Sequence, residues 1–91
     1  MSEKNDILEQ TILRIEKMEK IFDHLQKLVL ENPKVIQQDA SVKEMLEILV
    51  EYYDSKQWMR EYEMDERGEL PANLKRGVLS QDGVYNFLTE L

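Results

Sequence analysis

The chain has 91 residues, 34% charged and 42% hydrophobic, with a formal net charge of −7. That length and balance describe one small soluble globular domain with a modest core, and they exclude a wholly disordered chain. The negative charge disfavours nucleic acid and membrane surfaces as partners, and the absence of cysteine excludes a disulfide framework, a thiolate zinc site and a cysteine nucleophile.

The N-terminus, Met1-Ser2-Glu3-Lys4-Asn5-Asp6, is polar and lacks the apolar run of a signal peptide. The longest apolar runs, such as Leu28-Val29-Leu30 and Ile48-Leu49-Val50, are far too short to span a bilayer. A cytoplasmic protein is expected, with residues 1–91 forming a single helical domain and residues 1–5 disordered.

The first helix is predicted to start at Asp6, where Asp6-Ile7-Leu8-Glu9 has capping-box spacing. Leu8, Ile15, Phe22 and Val29 share one heptad position and Met18 and Leu25 a second, flanked by Ile7, Ile21 and Leu28. That stripe is wider than a coiled-coil seam and suits a helix packed against two others. Asn32-Pro33 ends the helix, because a residue before proline is driven out of the helical region. Asn32 to Ala40 is a connector in which Asn32-Pro33 caps one short turn, with Val35 and Ile36 tucked onto the core.

A second helix is predicted from Ser41, again on a capping box, with Val42, Met45, Leu46, Leu49, Tyr52 and Tyr53 on its apolar face. So short a connector implies antiparallel packing of these two helices. Asp54-Ser55 either ends one helix and caps the next or passes as a kink. Trp58, Met59 and Tyr62 continue an apolar face, while Glu61, Glu63, Asp65, Glu66 and Glu69 make an acidic run read as a solvated helix face.

The punctuation is concentrated in this second half: all three glycines, the only tryptophan and all four tyrosines fall between Tyr52 and Tyr85. Gly68 reads as a left-handed C-cap. Pro71 is expected to start a further turn over Ala72 to Lys75, and Gly77 to stop it. Ser80 caps a last helix whose apolar stripe is Val84, Phe87, Leu88 and Leu91. The predicted fold is all-α: an antiparallel long helix pair with one or two shorter helices folded back at the C-terminal end.

No constellation of these residues reads as catalytic. His24 is the only histidine and reads as solvated or half-buried. The acidic run could hold a hard cation, but EF-hand spacing is absent, so no metal and no cofactor is expected. Arg14 on an amphipathic first helix invites comparison with the small helical chorismate mutases. That chemistry needs several cations converging on a dicarboxylate, and between Arg14 and Arg60 the chain offers only lysines, mostly on the polar face. Trp58, Tyr62, Lys75, Arg76 and Tyr85 form a candidate interaction or ligand seam. Each also has a structural reading: the aromatics as packing residues with wet polar tips, Lys75-Arg76 as partners of the acidic run.

Arg14-Ile15-Glu16-Lys17-Met18-Glu19, Tyr52-Tyr53, Trp58, Leu70-Pro71, Leu74-Lys75-Arg76-Gly77-Val78-Leu79-Ser80 and Asp82-Gly83-Val84-Tyr85-Asn86 together resemble a small bacterial family. It is catalogued as domain of unknown function 4298. The resemblance covers Ile7 to Leu91 and implies a stand-alone, helical bacterial protein; it carries over no activity and no site residue. The expected function is a non-enzymatic protein-protein interaction module, with a homodimer as one form. The alternatives are a small-ligand or anion site near Trp58, Arg76 and Tyr85, and an acidic decoy for a basic protein.

Overall fold

A computed structural model describes residues 3–91, with side chains described from Asp6 onward. The elements are α1 (Glu3–Glu31), α2 (Val35–Gln38), α3 (Ala40–Tyr53), α4 (Lys56–Glu66), a 3₁₀ turn (Gly77–Leu79) and α5 (Gln81–Thr89). No strand occurs among the described residues. The fold is the expected all-α one, with a particular division of labour between the helices.

α1 runs for 29 residues and reaches along almost the whole 46 Å length of the molecule. It is already helical at Glu3, so Asp6 does not cap it. Of residues 1–5, expected to be disordered, Glu3 to Asn5 fall within the bounds of α1, and residues 1 and 2 lie outside the described residues. The buried side of α1 is Thr11, Ile15, Glu19, Phe22 and Leu25, which recur every three or four residues. Two of those five are polar, a departure from a simple apolar stripe.

The return arm is α3 and α4 together. The chain reverses through Asn32, whose carbonyl accepts from Val35 N at 3.0 Å and whose side chain accepts from Lys34 N at 3.1 Å. Val35 and Ile36 of α2 then pack against the core, as expected. α3 starts at Ala40 and is capped by Asp39, not Ser41. The Asp39 carboxylate accepts from the Ser41 hydroxyl at 2.7 Å and from Ser41 N at 2.9 Å, and these bonds hold its pKa below the usual carboxylate value. Asp39 outcompetes Ser41 because its carboxylate also takes Val42 N, leaving the serine hydroxyl as a donor to the cap.

α3 ends at Asp54, and Ser55 caps α4 by accepting from Trp58 N at 3.1 Å. The second arm is therefore interrupted at Asp54-Ser55. It still runs antiparallel to α1: Tyr52 at the end of α3 and Glu61 of α4 meet near Arg14, and Met64 lies farther on beside Leu8.

α4 stops at Gly68, with φ +71°. Gly68 N bonds to Asp65 O and Glu69 N to Met64 O, both at 3.0 Å, which is the Schellman pattern. The buried Leu70 then turns the chain back over the pair. No helix forms over Ala72 to Lys75; there is only a turn closed by Leu74 N to Pro71 O. Gly77 opens the 3₁₀ turn, where it was expected to stop the turn begun at Pro71. Ser80 caps α5 as expected, accepting from Gly83 N at 3.2 Å. Val84 is fully buried, and Phe87 meets Phe22 of α1 edge to face with ring centroids 5.5 Å apart.

A methyl group at position 68 would touch nothing within 4 Å, so any penalty there comes from the backbone. Gly68→Ala is expected to lower stability by about 1–2 kcal/mol, read as an earlier urea midpoint with unchanged slope.

Candidate functional site

Glu61 is the most unusual side chain in the molecule: a carboxylate with 0% exposure. It sits one helical turn after Trp58, on the inward face of α4 that the Ser55 cap sets. Three donors converge on it. Tyr52 Oη donates to Oε1 at 2.6 Å, and Arg14 Nε and Gln57 Nε2 donate to Oε2 at 2.8 and 2.7 Å. A buried charge is tolerated only with such partners. Burial, then the bond to Glu61, pushes the Tyr52 phenol far above its ordinary pKa, so the tyrosine stays a donor. The solvated-face reading of the acidic run fails here. Its members diverge: Glu61 points inward, Asp65 pairs with Arg76, and Glu63, Glu66 and Glu69 are exposed. Among the described residues no group of three acidic or histidine side chains is placed to hold a metal.

The aromatic and basic seam is spread over several jobs. Trp58 is buried, and its Nε1 donates to Val78 O at 2.8 Å. Tyr62 stacks on it at 5.2 Å and Tyr53 meets it edge to face at 5.0 Å. Arg76 pairs with Asp65 and donates from Nη2 to Pro71 O at 2.6 Å and from Nε to Leu74 O at 3.3 Å. Its guanidinium thus closes the loop before the 3₁₀ turn and ties it to α4. Tyr85 is 58% exposed on α5, and Lys75 is exposed. Neither of the two hollows described next is lined by Trp58, Arg76 or Tyr85.

A different place does form an open groove. It has a volume of about 420 Å³ and lies between α1 and the Pro71–Lys75 segment. Ile12, Pro71 and Leu74 supply its apolar lining, and Glu16, Glu19, Lys20, Asp23 and Lys75 its charges. Lys75 is the one member of the predicted seam that reaches it. Glu19 is only 8% exposed, and its Oε2 accepts from Val78 N at 2.9 Å. The Val78 peptide is therefore held on both sides, its N–H by α1 and its carbonyl by α4. Gly77 leaves room for this approach: a Cβ there would lie 2.8 Å from Glu19 Oε1, so a side chain would force the carboxylate to shift. A second hollow, of about 320 Å³, is lined by Ile7, Leu8, Met64 and Glu69 near the far end of α1.

Glu61 and Glu19 are the residues that sequence reasoning missed. Glu19 had a usable signal: it sits between Ile15 and Phe22 on the stripe that the periodicity marks as buried. Glu61 had a weaker one, its place one turn from the only tryptophan.

The family model described as "Domain of unknown function (DUF4298)" matches residues 15–91. No curated protein and no solved structure matches the chain.

Removing the buried carboxylate strands Arg14 and Tyr52, so Glu61→Ala is expected to cost about 3–5 kcal/mol in urea unfolding, with Glu63→Ala close to wild type. Tyr52 adds a pH dependence. Its folded pKa lies above its unfolded one, so its contribution is complete below about pH 10 and is lost as pH rises past that value. Tyr52→Phe should flatten that alkaline decline in stability.

Proposed function

We propose, for a chain that belongs to the family of domain of unknown function 4298, that it is a non-enzymatic protein-interaction module of the bacterial cytoplasm. Its partner docks in the groove between α1 and the Pro71–Lys75 segment. The supporting observation is the character of that groove: open, about 420 Å³, and lined by both apolar and charged side chains. Such a mixed lining suits a polypeptide segment, whose backbone and side chains present both kinds of surface. The groups most suited to chemistry, Arg14, Tyr52, Trp58 and Arg76, are already engaged in holding the fold. The same engagement weighs against an anion site at Arg76. No helix among the described residues is long and apolar enough to cross a membrane.

A second reading, an acidic decoy for a basic protein, is favoured by the net charge of −7 and by the exposed Glu44, Glu47 and Glu51 along α3. Attraction of that kind between exposed charges falls steeply with salt, whereas a contact partly desolvated inside a groove is screened less. A homodimer is the third form of the reading, and exposed Ile7 and Leu13 on α1 offer it apolar surface.

Photo-crosslinking residues placed at Ile12 and Lys75, with Glu44 as an outward control, separate these readings in cells that make the protein. Groove docking predicts one shared adduct from Ile12 and Lys75 and none from Glu44. Adducts from Glu44 alone would favour the decoy, and an adduct of twice the chain's mass would favour the dimer.

A further inference from the structure

The geometry points to a receptor site for a single organic cation, an alkylammonium or guanidinium head, with Glu19 as the group that receives it. This rests on the groove being the docking surface and names the chemistry of what enters it.

Glu19 is more than nine-tenths buried, yet only half of its carboxylate is used. Oε2 takes the Val78 N–H, while Oε1 has no hydrogen-bond donor among the described residues. No fully enclosed side-chain polar atom among those residues lacks a partner, so Oε1 is not sealed off; it lies beside Gly77, and Glu19 is one of the residues lining the groove. A carboxylate oxygen held rigid by its twin, largely desolvated and still open on one side, is a strong acceptor for a charged donor.

The surroundings select the class of donor. Glu16 and Asp23 lie three residues before and four after Glu19, on the same side of α1, and neither is in an ion pair among the described residues. The three carboxylates do not come within reach of a common metal ion. An elongated cation fits instead: its head on Glu19 and its stem along Ile12, Pro71 and Leu74. Lys20 and Lys75 are exposed at the mouth, and their long stems let them swing clear of an entering cation or pair with a carboxylate beside it. The volume is in the range of small-ligand pockets, roughly 300–1,000 Å³. The head can come from a lysine or arginine side chain of a partner protein or from a free diamine.

The test is an NMR titration of the isotope-labelled full chain. The probes are a blocked Ala-Lys-Ala peptide, its arginine and norleucine counterparts, and cadaverine. The Gly77 and Val78 amides should move with the cationic probes and stay put with the norleucine peptide. Glu19→Gln keeps an amide oxygen for Val78 N, so its thermal melt should match wild type while binding weakens at least about tenfold, as expected for a lost charge-assisted bond. Glu16→Gln and Asp23→Asn should each weaken binding by a smaller factor. Tighter binding of the peptides assigns the head to a protein side chain, and tighter binding of cadaverine assigns it to a free amine; both support the site. Equal shifts from the norleucine peptide, or undiminished binding by a folded Glu19→Gln variant, overturn it. If no cation binds while crosslinks from Ile12 and Lys75 still capture a partner, the cation site falls and the interaction reading survives. If cations bind and those positions crosslink nothing, the interaction reading falls and the site survives.

Discussion

One negative charge, buried where three helices meet, sets the registration of this fold. Moving an isolated carboxylate into a protein interior is unfavourable by several kcal/mol. Glu61 is stable there only because Arg14 comes from α1, Tyr52 from α3 and Gln57 from its own helix. Sliding either arm by one turn would strand the carboxylate. Apolar contacts alone tolerate such slippage, since one leucine can replace another against the same surface. The polar cluster makes a single alignment of α1 with the broken α3–α4 arm much the most favourable.

The C-terminal segment depends on that alignment. The Val78 peptide bridges Glu19 on α1 and Trp58 on α4, which must stand at the correct separation for both bonds to form. Arg76 adds a tether to α4 through Asp65, and Phe87 closes against Phe22. The groove is a by-product of this attachment: with the segment fixed at Arg76 and Val78, the loop from Pro71 to Lys75 stands off α1 and leaves space beneath it.

Much of the helical frame was legible because its signals are local. The α1 stripe from Leu8 to Leu28, the Ser55 and Ser80 caps and the Gly68 stop each act within one or two turns of chain and appear where the residues indicate, although Val29 of the expected stripe is not among the residues packed on the core. Asp39 against Ser41 was a contest between two good caps two residues apart, settled by which oxygen could take more amides. The segment from Ala72 to Lys75 looked helical by position but has its carbonyls claimed from elsewhere: Arg76 takes those of Pro71 and Leu74. The candidate site was less legible still. Arg14 and Glu61 are 47 residues apart, and Glu19 and Val78 are 59 apart. Nothing in the spacing of acidic residues distinguishes a carboxylate that faces water from one that faces three donors brought in by the rest of the chain.

The bond between Trp58 and Val78 also makes the molecule its own optical gauge. The only indole in the chain is at the joint between the helical frame and the C-terminal segment, with one tyrosine stacked on it and another at its edge. Its emission therefore responds to whether that segment is seated, while far-ultraviolet dichroism is dominated by α1, α3 and α4. The two signals divide the chain into a frame and a flap. Any difference between their transitions would measure how independently the flap opens.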